Sequence, residues 1–188
     1  MNHSITYKII RSRRRTLGVE IRGGEVIVRA PLRCPIWEIE SFVRSHIKWI
    51  ERHLAKTETA QEKAQQQGIL SEEEIRTLTK QAKEVIPQRA AYYAQRVGVS
   101  YGKITIRCQK TRWGSCSSKG NLSFNCLLML TPPEVLDSVV VHELCHRKVM
   151  NHSQQFYQEV LRVYPEYRKW NRWLKKNGAV LLRRAGKE

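Results

Sequence analysis

The chain reads as an α+β fold, and three observations predict it. Residues 5–30 alternate in strand fashion, residues 35–54 space their apolar residues by three and four, and short strand runs near 103–108 and 122–130 precede an apolar helix with further helices after it. A helix, strands, the apolar helix and a C-terminal helix layer together indicate an α+β fold.

Each element has a local reason. Leu17, Val19 and Ile21 fall on one face of a strand, and Gly23-Gly24 suits a two-residue hairpin before a second strand at 26–28. A helix is predicted near 35–54, where Ile36, Ile39, Val43, Ile47, Ile50 and Leu54 form one apolar stripe. His46 and His53 flank that stripe as packing or surface histidines, not ligands. Residues 55–68 hold many Gln, Lys, Glu and Thr and few large apolar side chains, which fits an exposed helix or a linker. Ser71-Glu72-Glu73-Glu74 opens the next helix with a capping box, running to about Val97 with a kink or restart at Pro87. The expected organisation is a β-rich accessory subdomain with one helix at 1–58, a linker or exposed helix at 59–70, and a larger domain at 71–188. The chain's 188 residues suffice for a substantial core.

The chemistry concentrates in His142-Glu143-Leu144-Cys145-His146, an HExxH pattern, followed six residues later by His152. Positions i and i+4 share a helix face, so His142 and His146 can direct two imidazoles at one ion. Glu143, beside the first of them, is placed to reach water held by such an ion. A catalytic zinc takes three protein ligands and keeps a fourth position open. The helix is predicted to start at Thr131-Pro132-Pro133-Glu134, with Thr131 as N-cap, Pro132 first and Glu134 closing a capping box. Val135, Leu136, Val139, Val140 and Leu144 make it mostly apolar, so its histidines and glutamate need partners. Beyond His146 the helix is expected to continue about one turn, with Asn151 accepting a left-handed stop and Ser153 capping the next helix. His152 then sits at a corner that can swing back to the ion. Glu159, seven residues further on, is a rival third ligand.

Several segments together carry a family resemblance. Thr111-Arg112-Trp113-Gly114-Ser115-Cys116, Lys119-Gly120-Asn121-Leu122, Pro132-Pro133-Glu134-Val135-Leu136, the HExxH segment, Asn151-His152-Ser153 and Phe156 resemble the YgjP-like metallopeptidase family, bacterial relatives of the SprT-like and WLM zinc proteases. The resemblance covers residues 72–175 closely and the N-terminal part more loosely. It implies a zincin-like catalytic domain behind an N-terminal β-hairpin/helix subdomain, with one Zn2+ on His142, His146 and His152 and Glu143 as general base. The spacing to His152 equals that of metzincins, but Val149 stands where those place glycine. No methionine follows Met150 to make a Met-turn, so the chain is not a metzincin.

A developing oxyanion needs a donor besides the metal, and Arg112, Tyr157 and Tyr164 are candidates by type. In the segment 112–116, Trp113 is expected to plug the core, Gly114 to make a tight turn and Cys116 to be a small buried residue. Arg112 is either structural or turned toward substrate. A strand at 122–130 beside the metal helix could accept an extended peptide as an added strand. Histidine ligands must be neutral, so protons should compete with metal near the ordinary histidine pKa of ~6.5.

Five scattered cysteines (Cys34, Cys108, Cys116, Cys126, Cys145) without a CxxC pair are expected as reduced thiols in a cytoplasmic protein. Cys145 is expected to pack as a small apolar residue. No apolar run approaches 18 residues and no hydrophobic leader is visible, so neither a membrane span nor a signal peptide is expected. The net charge is +17, and residues 101–188 carry 16 basic against 6 acidic groups. Arg168, Lys169, Arg172, Lys175 and Lys176, on a helix predicted near 165–177 with Tyr167, Trp170, Trp173 and Leu174 on its other face, are candidate anion-binding residues. Arg13-Arg14-Arg15 is a second basic cluster. A peptide or protein is the first expected substrate. The alternatives are a nucleotide phosphoanhydride at the same metal, or nucleic acid bound by a SprT-like protease.

Overall fold

A computed structural model describes residues 5–186, with Gln61 given by its backbone alone; residues 1–4 and 187–188, the ends of the expected segments, lie outside the described residues. The chain divides into two compact units, one running up to Lys63 and the other from Ala64 onward.

The first unit has a three-stranded sheet in the order β1-β3-β2, from β1 (Tyr7–Ser12), β2 (Gly18–Arg22) and β3 (Glu25–Pro31). Gly23 and Gly24 make the β2–β3 turn with φ of 59° and 88°, the left-handed pair a tight hairpin requires. β1 joins the other side of β3 in parallel. Leu17, Val19 and Ile21 pack on Val26, Val28, Ile39, Val43 and Ile50, as their alternation predicts. The single helix expected over 35–54 is instead two, α1 (Ile36–Ser45) and α2 (Ile47–Gln66). The Ser45 hydroxyl and the His46 ring both engage the Phe42 carbonyl, and the His46 N–H bonds Val43 instead. Local side-chain bonding thus displaces the helical one. Ile36, counted in the apolar stripe, is exposed. His46 and His53 are packing residues, their Nδ1 atoms on the carbonyls four residues earlier. Residues 55–66 continue α2, so this segment is helix rather than linker.

The second unit holds the larger core. Helix α3 (Glu72–Val97) starts with the predicted capping box on Ser71 and Glu74, runs through Pro87 without a break and ends at Gly98, φ 75°. The second sheet has the order β4-β6-β5, from β4 (Ile104–Arg107), β5 (Gly114–Cys116) and β6 (Leu122–Asn125). The strand expected over 122–130 ends at Asn125 and gives way to a 3-10 turn, Cys126–Leu130. Asn125 causes the change: its side-chain oxygen accepts from the Leu127 N–H, while its amide donates to the carbonyls of Gln109 and Arg112.

Helix α4 (Pro133–Cys145) follows, then α5 (Gln154–Val163) and α6 (Tyr167–Arg183). Helix α4 begins one residue later than the sequence suggests, with Pro133 in its first turn and no side-chain cap. The Thr131 hydroxyl instead donates to the carbonyls of Leu128 and Pro132, so the expected capping box is absent. Arg89 of α3 clamps Asp137 of α4 through two bonds of 2.7 and 2.6 Å, and the Tyr93 hydroxyl adds a third at 3.0 Å. No helix among the described residues is long and apolar enough to cross a membrane.

Candidate metal centre

Helix α4 is enclosed by α3, α5, α6 and the second sheet, with Val135, Val140, Val141, Leu144 and Cys145 fully buried. Beyond the exposed first turn at Pro133 and Glu134, His142 is the one residue of this helix that is not buried, and buried Glu143 stands beside it. The helix ends at Cys145, earlier than expected, and a turn through 146–150 reverses the chain. No described non-glycine residue has positive φ, so Asn151 makes no left-handed stop. Ser153 caps α5 as predicted, accepting from the Phe156 N–H.

This turn brings three imidazoles together. The ligand-capable nitrogens of His142, His146 and His152 all lie within 4.8 Å of one another. Nε2 of His142 and Nε2 of His152 are 3.0 Å apart. Fully buried Phe156 packs against all three rings, with centroids 4.9, 4.6 and 5.0 Å from His142, His146 and His152. The other face of two rings is already engaged. His146 Nδ1 donates to the Val149 carbonyl at 3.1 Å, which can only accept, so its Nε2 keeps the lone pair. His142 Nδ1 lies 2.8 Å from the Tyr167 hydroxyl. Two Nε2 atoms on a tetrahedral zinc at ~2.0–2.1 Å stand about 3.3 Å apart, close to the spacing here. The donor set fits a divalent ion that favours imidazole, with outer hydrogen bonds fixing the rings.

The electrostatics agree with that geometry. Burial, then the neighbouring imidazoles of His146 and His152, hold His142 at about 3, so it is neutral and available as a donor. Burial lowers His146 as well. Glu143 is pushed up to about 8 by burial alone; a dication nearby would draw it back down. The Tyr167 hydroxyl is also raised, first by burial. Cys145 is a buried thiol pushed up to about 12, consistent with the expected packing role.

Gly114 is not a turn glycine. It lies in β5, and a Cβ there would come within 2.7 Å of both Cγ and Oε1 of Glu143. The missing side chain is what admits the glutamate. Trp113 packs on the core as expected, whereas Cys116 is only half-buried.

A cleft of about 210 Å³ opens over His142 and Glu143, with Arg112, Gly114, Tyr167 and Asn171 among its walls. Arg112 is therefore at the site, and Tyr157 borders it, its ring 6.3 Å from that of His152. Tyr164 is elsewhere: its hydroxyl donates to the Glu134 carbonyl at 3.0 Å and its ring meets Tyr93 edge-on, at the other end of α4. Glu159 is not at the rings either. It is held by Lys148 at 2.7 Å and Arg162 at 2.6 Å, and these cations keep its carboxyl down at about 2. Arg168, Lys169, Arg172, Lys175 and Lys176 are all exposed on α6. Two cleft residues, Tyr167 and Asn171, escape the sequence reading, which only places Tyr167 on the helix face opposite the cations. The available signal is chemical: a buried tyrosine hydroxyl needs a partner, and Asn171 follows one helical turn later on the same face.

The family model described as YgjP-like, metallopeptidase domain, matches residues 15–78 and 72–177. The chain belongs to the YgjP-like metallopeptidase family. It is thus a metallopeptidase with a zincin-like α+β fold, as the sequence motifs suggest. Two solved structures are similar: the metallopeptidase zymogens abylysin of Pyrococcus abyssi and jannalysin of Methanocaldococcus jannaschii. Each is 23% identical, with TM-scores of 0.44 and 0.43, over 49% and 48% of this chain and 94% of the other. No curated protein matches.

Proposed function

We propose that the chain is a zinc-dependent peptidase with His142, His146 and His152 as the metal ligands and Glu143 as general base. The observation that carries this is the convergence of three imidazole nitrogens within 4.8 Å, one of them on His142, which lines a cleft together with the buried carboxyl of Glu143. Zinc on three imidazoles, when bound, acidifies water and polarises a carbonyl oxygen. The residues of the chain do the rest. Glu143, confined between α4 and Gly114, takes the proton of the attacking water and returns it to the leaving amine. His142 and His146 stay neutral and oriented through Tyr167 and the Val149 carbonyl. Arg112 in the cleft, and Tyr157 beside the His152 ring, remain available to meet the substrate's developing charge.

An extended peptide has one strand to lie along. β6 is the middle strand of its sheet, so the peptide docking expected there cannot occur. β5 is an edge strand, no described strand pairs with its other side, and its Gly114 lines the cleft. Backbone pairing along β5 presents a peptide bond to Glu143. A nucleotide phosphoanhydride would call for several cations converging on its phosphates, and among the lining residues only Arg112 is cationic. The peptide reading is therefore preferred.

Glu143→Gln should retain one zinc per chain and lose peptide hydrolysis, whereas His142→Ala should lose both. Metal content and casein-peptide turnover measured on the same preparations check this. Full turnover by the glutamine variant would remove Glu143 from the base role.

A further inference from the structure

We propose that the cleft selects acidic peptide segments, read by Arg112 within it and by the exposed basic row of α6 that flanks it outside the cleft. This rests on the peptidase reading above and adds the substrate class to it. Arg112 stands on a fixed base, because its carbonyl accepts from the Asn125 amide at 2.9 Å while its exposed side chain reaches the cleft. It is the one cation among the lining residues, and no described carboxylate pairs with it.

The α6 side is built by periodicity. Tyr167, Asn171 and Leu174 line the cleft from one face of α6. Each is followed by a cation one position on, at Arg168, Arg172 and Lys175, so the neighbouring face is a basic strip along the cleft, extended by Lys176. Helix α6 contains six cations and no carboxylate over 167–183. Arg168, Arg172, Lys175 and Lys176 have no described acidic partner, whereas Lys169 is paired with Glu166 at 3.1 Å. A row of uncompensated cations repels itself and gains most from an acidic ligand. Guanidinium groups bind carboxylates through paired, charge-assisted bonds, which suits glutamate and aspartate side chains flanking a scissile bond. The cations border residues that line the peptidase cleft, and this favours an acidic polypeptide over nucleic acid as the occupant.

The test uses peptides that differ only in flanking Glu, Gln or Lys residues. Their kcat/KM values are measured on the zinc-loaded chain, and their binding to the Glu143→Gln variant is measured by anisotropy at low and high salt. The Glu-flanked peptide should exceed the Lys-flanked one by roughly tenfold, the scale of one charge-assisted hydrogen bond, and the difference should shrink with salt. Arg112→Glu should abolish or invert the preference at unchanged zinc content, and Arg172→Glu with Lys175→Glu should weaken it. Equal rates and equal binding for Glu and Lys peptides would overturn the charge selection and leave the peptidase intact. A binding preference without turnover of any peptide would support the charge selection while removing the peptidase reading. Duplex DNA competing more tightly than the acidic peptide, with a salt slope of several phosphates, would also overturn the proposal.

Discussion

Tyr167 and Gly114 bear directly on His142 and Glu143, the proposed ligand and the proposed base. The Tyr167 hydroxyl sits 2.8 Å from His142 Nδ1, so it orients the ring whose Nε2 is the proposed donor to the metal. Tyr167→Phe should weaken zinc affinity by about 10–100-fold, the usual cost of losing an outer hydrogen bond to a metal ligand. Competition with a chelating dye measures this; unchanged affinity would leave Tyr167 a packing residue. Gly114 acts on Glu143 by absence. Gly114→Ala would place a methyl 2.7 Å from the carboxylate oxygen, and buried Glu143 has little room to retreat. The variant should keep its zinc and lose most of its turnover. Wild-type rates would show that the glutamate can shift without consequence.

At the scale of elements, the site depends on how α5 and the turn before it are held. Glu159 of α5 ties Lys148 of that turn to Arg162, which also donates to the carbonyls of Arg96 and Val97 at the end of α3. Its carboxyl is held at about 2, below the ordinary ~4.3. A depressed carboxylate contributes its stability above the ordinary value, and that contribution is lost as pH falls toward the folded one. Because both cationic partners are partly exposed, Glu159→Gln should cost only about 1–2 kcal/mol at pH 7. The difference from the parent chain should fade between about pH 5 and pH 2. Urea unfolding at several pH values measures it; a pH-independent difference would mean that packing, not charge, is lost. The same elements mark what the sequence made legible. Spacing within one helix is local, so His142, Glu143, His146, the Ser71 capping box and the Gly23-Gly24 hairpin could all be read directly. Side-chain competition for backbone groups was not visible in apolar periodicity. Ser45 and His46 split one helix, Asn125 stopped a strand, and Thr131 capped nothing. Contacts between distant elements were hidden altogether, which is why Tyr167 was missed, Tyr164 was misplaced and Gly114 was read as a turn.

Over the whole molecule, each unit has its own apolar core, one around Val28, Ile39 and Ile50 and the other around Phe124, Val140 and Phe156. The candidate centre lies wholly within the second. We propose that this unit is an autonomous catalytic domain. A fragment spanning residues 68–188 should then fold cooperatively, as followed by circular dichroism, and bind one zinc with the affinity of the full chain. An unfolded or metal-free fragment would assign the first 67 residues a structural share in the site. The third histidine also ties the candidate centre to tertiary structure. His142 and His146 are only four residues apart, whereas His152 meets them where the turn through 146–150 reverses the chain and Phe156 of α5 packs against all three rings. On the ligand set proposed above, local unfolding of α5 should therefore cost tight metal binding and hydrolysis together.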